Sequence, residues 1–435
     1  MSEISQNRIP GLPSGQGGGF LATYGVWIVA AAILVIMPHV FSSGLALSTM
    51  CLMGISVIFA LSYNMLLGQT GMLSFGHAVF FGLGGFLTAH MVNAARGADA
   101  PLPLFVFPLV GAATGLLFGI IFGSVATRRA GTAFAMITLG IGELVASSSH
   151  ILHNVFGGEE GITINRTKLI HLFGWSFGPQ IQVYYLIAAW CLVAAALMYA
   201  LTRTPFGRIC NAVRDNPDRV RFVGYNTTMV RFMAYSLSGL FAGVAGGLAA
   251  VNFEIMNFSQ MGAAQSGAVI LMTFIGGVGN FAGPIIGAVL VIYLQVMLSD
   301  VTGVWQLYFG LLFVGMVLYV PGGIAGLLAR QQPLLQARQL HRVLPRYALA
   351  LVPGLVAVAG LSLVIEMSYQ LSQNASDGLE MTFGRVSFNA DNPLAWLVAL
   401  TLFVGGLWLF RRTGRAALDA YEAALAAALA RRAAQ

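Results

Sequence analysis

The chain reads as an all-α polytopic membrane protein of about a dozen passes, with the N and C termini on the cytoplasmic side. Composition is the first observation behind this reading. Of 435 residues, 57% are hydrophobic and 9% charged, and the mean hydropathy is +0.80, whereas a soluble domain carries about 25% charge. Periodicity is the second. Apolar runs of roughly 17–25 residues recur along nearly the whole sequence, and only helices that satisfy their own backbone hydrogen bonds can cross a bilayer repeatedly. The third is the distribution of Lys and Arg, which fall on alternate connections.

Spans are expected at about 20–40, 44–67, 76–94, 102–126, 132–152, 183–201, 230–252, 263–276, 283–299, 304–320, 347–366 and 393–410. Segments 76–94 and 263–276 are Gly-rich or short, which makes them candidates for broken or re-entrant helices. The first span is expected to be retained, because Asn7 to Gly19 lacks a basic cluster and no small-residue cleavage site follows. Alternating sides through these spans assigns 18 of the 22 basic residues to the cytoplasm. They are Arg8; Arg128 and Arg129; Arg203, Arg208, Arg214, Arg219, Arg221 and Arg231; Arg330, Arg338, Arg342 and Arg346; and Arg411, Arg412, Arg415, Arg431 and Arg432. Arg96, Arg166, Lys168 and Arg385 fall outside. The net charge of +7 is thus an orientation signal that calls for no nucleic-acid partner.

Cys51 and Cys191 lie in spans and Cys210 in a cytoplasmic loop, so no extracytoplasmic pair exists to form a disulfide. His150 and His153 sit one helical turn apart at an outer helix end without an evident third ligand, and no metal or other cofactor is expected.

The chain divides into a cytoplasmic N-terminal segment 1–19, a long block 20–328, a polar linker 329–346, an extra helix pair 347–410 and a cytoplasmic amphipathic tail 411–435. In the tail Leu418, Tyr421, Leu425 and Leu429 are expected to line one face. Early Asp419 and Glu422 and late Arg431 and Arg432 complement the helix dipole. An acidic connection with Glu366, Asp377, Glu380 and Asp391 joins the extra pair. Gly68–Gly71 and Gly276–Gly279 each follow a span of the same direction and precede a Gly-rich helix, the pattern of a parallel repeat.

The longest cytoplasmic loop of the block, 203–231, is dense in Arg with Asp215 and Asp218 interspersed. Ile209, Ala212 and Val213 share one helical face, and Val220, Phe222 and Val223 form a second apolar cluster before Gly224. Two short helices broken near Pro217, suited to docking on another protein, are expected. A solvated positive-inside loop is the plainer alternative.

This loop resembles the coupling segment of the branched-chain amino acid ABC transporter permeases of the LivM type. Three further stretches are similar to that family. Leu61-Ser-Tyr-Asn-Met-Leu-Leu-Gly-Gln-Thr-Gly-Met-Leu-Ser-Phe-Gly-His77 continues to Gly85; Gly131-Thr-Ala-Phe-Ala-Met-Ile-Thr-Leu-Gly-Ile-Gly-Glu143 is the second; Phe274-Ile-Gly-Gly-Val-Gly-Asn-Phe-Ala-Gly-Pro284 continues to Ala288, with Tyr319-Val-Pro-Gly-Gly-Ile-Ala-Gly-Leu327 closing the core. Order and spacing agree across roughly residues 44–328. The resemblance implies about 10 core helices plus 2 extra C-terminal ones, in a bacterial inner membrane. It further implies a second related permease subunit, two separate ABC ATPase subunits and an extracytoplasmic solute-binding protein. ATP hydrolysis would be transmitted through Gly207, Arg208, Ala212, Arg214, Asp215 and Gly224, and the solute would be a branched-chain or related amino acid or a small carboxylate or amide. Independently, the chain has no Gly-x-x-x-x-Gly-Lys-Ser/Thr loop, and its one lysine is Lys168. It is therefore expected to be no enzyme, with no catalytic residues. Pro217 and the block after Leu328 depart from the family pattern.

Glu143 is the one carboxylate near the middle of a span, where a charge is costly unless it is paired or faces water. It is a candidate for the translocation path, or else bonds to Ser147, Ser148 or Ser149 and steadies helices. Asn64, Gln69, Thr70, Ser74 and His77 form a polar cluster that either lines the path or bonds neighbouring helices. An ion-gradient carrier using Glu143 is the alternative function. Against it, the loop Leu67 to Ser74 carries no charge.

Overall fold

The computed structural model describes residues 20–95, 102–168, 176–336, 340–373, 380–383, 386–389 and 392–433. The segment 1–19, Arg96, Arg338, Asp377, Arg385 and Asp391 lie outside the described residues. Two compact units are present, Met1–Ser266 and Gly267–Gln435.

In the first unit the chain runs through α1 (Phe20–Val40), α2 (Gly44–Thr70), α3 (Ala78–Ala95), α4 (Phe107–Ala126), α5 (Thr132–Ile151) and the single turn α6 (His153–Phe156). It continues with β1 (Ile162–Thr163), α7 (Gln180–Arg203), α8 (Pro205–Asp215), α9 (Pro217–Phe222), α10 (Thr227–Phe253) and β2 (Ile255–Met256). Strands β1 and β2 pair antiparallel, Ile162 opposite Met256, and so tie the connection after α6 to the end of α10. Helix α11 (Ala263–Gly276) leads into the second unit, which holds α12 (Ala282–Ser299), α13 (Trp305–Tyr319), α14 (Gly323–Gln336) and α15 (Leu340–Gln373). The hairpin β3 (Glu380–Phe383) and β4 (Val386–Asn389) then precedes α16 (Pro393–Ala433).

Among the described residues nine helices are long and apolar enough to cross a membrane. A tenth results if α13 and Gly323–Gln332, bent by 42°, count as one span; Gly25–Val40 and Ala263–Gly276 are shorter apolar helices. All twelve expected apolar segments are therefore helical. The expected break in 76–94 is absent, since α3 runs unbroken. Its glycines serve close packing instead.

Helix α10 is the axis of the first unit: 89% of its membrane window is buried, against α4, α3 and α2. Glycines make this possible. A Cβ on Gly111 would collide with the Gly243 carbonyl and one on Gly115 with that of Gly239, while one on Gly84 would lie 2.7 Å from the Gly243 Cα. Lipid offers no hydrophobic drive between helices, so backbones that approach this closely through small residues supply the packing. The spacing Gly111-x3-Gly115-x3-Gly119 on α4 and Gly239-x3-Gly243-x3-Gly247 on α10 is a signal in the sequence that composition alone concealed.

Two expectations for the second unit are corrected. The described residues of the expected linker 329–346 are helical: α14 continues to Gln336 and α15 starts at Leu340, and 337–339 lie outside the described residues. Gln, Arg and Leu favour helix however polar the mixture, and Leu334 and Val343 form a small core with Ala424, against which Tyr347 and Tyr421 pack. The Tyr421 hydroxyl donates to the Arg330 carbonyl at 3.0 Å. The tail is the uninterrupted end of α16, but its buried face consists of Ala417, Ala420 and Ala424, while Leu418 is 62% exposed. Small side chains let the helix lie closer than a leucine face would. The side chains of Leu429, Arg431 and Arg432 lie outside the described residues.

Candidate coupling surface and translocation site

The Arg-rich loop folds as two short helices that break at Asn216-Pro217. Thr204 caps α8, its hydroxyl accepting from the Gly207 amide. Asn216 caps α9, its side chain accepting from the Arg219 amide at 2.9 Å, and Pro217 occupies the first turn, where a missing N–H costs nothing. Pro217 therefore starts a helix and interrupts none. Gly207, Cys210 and Val213 form the buried face of α8, while Arg208, Ala212, Arg214 and Asp215 are exposed. A Cβ on Gly207 would sit 2.6 Å from the Leu201 carbonyl oxygen, so α8 lies flat against the end of α7. Burial pushes the Cys210 thiol up to about 12.

The expected apolar cluster of α9 is split. Val220 is buried, whereas Phe222 is 92% and Val223 70% exposed, beside Gly224, which turns the chain at φ 95°. With Arg219, Arg221 and the half-exposed Tyr225, they form a basic edge with an apolar tip. The Arg221–Asp218 pair at 3.6 Å is exposed and weak.

Arg214 points inward at its tip: its guanidinium donates to the Gly68 carbonyl and pairs with Asp215 at 3.2 Å. Helix α2 ends there, with Gly71 left-handed at φ 70° and its amide turned back on the Leu66 and Leu67 carbonyls. A tight turn then leads to α3. The Tyr63 hydroxyl donates to the Ser74 carbonyl at 3.0 Å. Ser62 gives its proton to the Phe59 carbonyl, so the 3.0 Å contact between Ser62 Oγ and His77 Nε2 carries the imidazole proton. Thr70 bonds to the Leu66 carbonyl.

The polar cluster is thus largely interior. Asn64, Thr70, Ser74 and His77 are all buried, and Gln69 lines a cavity of about 10 Å³ with Gly207 and Cys210, the room one water needs. Gln69 Oε1, Ser74 Oγ and His77 Nδ1 are buried without a partner among the described residues. Glu143 is not part of this cluster. It is exposed, halfway along α5, on a face continued by Met136, Gly140, Ser147 and His150. Ser148 and Ser149 bond to carbonyls of their own helix, those of Leu144 and Ala146. No group of three or more His, Cys, Asp or Glu side chains suited to a metal is found among the described residues.

Sequence reasoning missed Arg166. It is 8% exposed, and its guanidinium donates to the carbonyls of Phe177, Gly178, Val251 and Asn252 and to Gln180 Oε1, at 2.8–3.3 Å. The signal was its place among the few basic residues off the basic side.

The family model described as branched-chain amino acid transport system / permease component matches residues 45–321. The chain is 29% identical over 316 residues to the high-affinity branched-chain amino acid transport permease LivM of Salmonella typhimurium, covering 67% of this chain and 72% of that protein. With LivM of Escherichia coli it shares 27% over 323 residues, covering 69% and 74%. With the fructose import permease FrcC of Rhizobium meliloti it shares 28% over 193 residues, covering 42% and 52%. No solved structure matches.

Proposed function

We propose, from the premise that this chain belongs to the branched-chain amino acid transport permease family, that it forms one half of the membrane pathway of an ATP-driven amino-acid importer. It is a multi-pass inner-membrane protein. Its partners are a second related permease, two ATPase subunits on the cytoplasmic side and an extracytoplasmic solute-binding protein. The solute is a branched-chain or related amino acid, because the LivM relatives cover more of this chain than the sugar permeases do. Hydrolysis of ATP belongs to the partners.

The observation that carries this reading is the exposed edge of Arg219, Arg221, Phe222, Val223 and Tyr225 on a segment clamped to the membrane helices. An aromatic tip ringed by arginines is the residue chemistry of a protein interface. Support also comes from α5: a carboxylate at mid-membrane is costly against lipid, so the face bearing Glu143 is suited to line an aqueous path shared with the second permease. Thr70 bonds within the last turn of α2, and the Ser74 carbonyl accepts from Tyr63 and so holds the turn that follows. The ion-gradient alternative has no support from the family.

Replacing Phe222 by Asp should weaken capture of the ATPases by about thirtyfold, the effect of removing one interface anchor. The side chain is so exposed that the folded permease should be unaffected. Co-purification from detergent with and without the substitution measures this, and undiminished capture would contradict the docking role.

A further inference from the structure

We infer that the turn between α2 and α3, residues 71–77, is the mechanical link by which α8 moves α5. This rests on the permease reading above and names the residues that would carry its coupling. Helix α8 packs on α2, α7, α9 and α10, while α5 packs on α3, α4, α6 and Phe258–Met261. The turn touches both. At one end the Arg214 guanidinium is bonded to the Gly68 carbonyl, and the Arg214 Cγ lies 3.0 Å from where a Cβ on Gly71 would stand. At the other end the Phe75 amide donates to Thr138 Oγ1 on α5 at 3.3 Å. Beside it, a Cβ on Gly76 would strike the Thr138 carbonyl and lie 3.3 Å from the Gly142 Cα.

Two properties make this turn a transmitter. First, it is stiff: Met72, Ser74, Gly76 and His77 are buried, and the turn is held to α2 by Tyr63 and Ser62 and to Ser266 through the Ala78 amide at 3.1 Å. Densely packed interiors pass displacement on because they cannot compress. Second, beside the Phe75–Thr138 hydrogen bond its contact with α5 is backbone on backbone at Gly76 and Gly142, so long side chains do not absorb the movement. Gly142 directly precedes Glu143, the residue on the exposed face. A push on Arg214 thus arrives one residue from the proposed path. Thr138 acts here as a positioning residue.

Contiguity alone is not coupling, so the test is a double-mutant cycle in the whole assembly. Arg214→Ala, Thr138→Val and the double variant would be reconstituted in proteoliposomes with the partner permease, the ATPases and the binding protein, and ATP hydrolysed per solute imported would be measured. Each single substitution should raise that ratio about fivefold, the factor expected for one lost hydrogen bond. The double should be no worse than the worse single, because the two act in series. Thr138→Val should keep its solute-free hydrolysis, and Thr138→Ser, which retains the hydroxyl, should restore the wild-type ratio. Thr138→Ala replaces Val should the larger side chain prevent assembly. Multiplying effects in the double variant, or an unchanged ratio in an assembled Thr138 variant, would overturn the link. A wild-type assembly without solute-stimulated hydrolysis would instead overturn the permease reading beneath it.

Discussion

Replacing Gly243 by Leu should abolish the folded first unit. Gly243 is wedged between α3 and α4. A Cβ there would strike the Gly111 carbonyl and lie 3.0 Å from the Gly115 Cα, and its own Cα is what a Cβ on Gly84 would meet at 2.7 Å. A leucine would have to push both neighbours off the axis helix, at a cost of about 3 kcal/mol or more for overpacking. In lipid nothing drives the separated helices back together, since acyl chains solvate them as well as they solvate each other. Size-exclusion chromatography in mild detergent should show aggregate for Gly243→Leu. Gly315→Leu, at a position on α13 with nothing within 4 Å, should elute like the parent protein.

Arg166→Met should be the most damaging change on the side opposite the coupling surface. The last carbonyls of α10 have no helical partner, and Arg166 supplies one for Val251 and Asn252 while holding Phe177 and Gly178. A cation at that end also complements the helix dipole. Glu254, with its side chain 38% exposed and 4.0 Å away, contributes little as an ion pair; its carboxylate serves by accepting from the Arg166 backbone amide. Removing the guanidinium leaves these buried acceptors unmet, a loss of about 1–3 kcal/mol for each one that water cannot reach. Arg166→Lys should rescue little, because a point charge cannot reach five acceptors fanned around a planar fork. Thermal unfolding in detergent and limited proteolysis between α6 and α7 would both register the change.

The parts of this molecule that local chemistry dictates were legible in its sequence. Apolar length gave the helices, and Asn216-Pro217 announced the start of α9, with Pro217 in its first turn. Glu143 was legible as an oddity, a carboxylate in an apolar run. What stayed hidden depends on partners distant in the chain. Val220 and Phe222 are two residues apart and equally apolar, and only the packing of α8 and α10 decides that one is buried and the other exposed. The polar cluster from Asn64 to His77 looked equally fit for a pathway and for a scaffold, and burial separates it from the exposed face of α5. The stretch from Arg330 to Arg346 has the composition of a linker, yet its described residues are helical, α14 to Gln336 and α15 from Leu340, because the end of α16 returns to cover them.

On the proposed reading, this chain provides half of a pathway whose energy comes from ATP hydrolysed on other subunits. Solute uptake into proteoliposomes holding both permeases and the ATPases tests it most directly, with binding protein outside and ATP inside. Uptake is expected to need both ATP and the binding protein and to persist when ionophores collapse every ion gradient. Uptake by this chain alone, driven by a proton or sodium gradient, would contradict it.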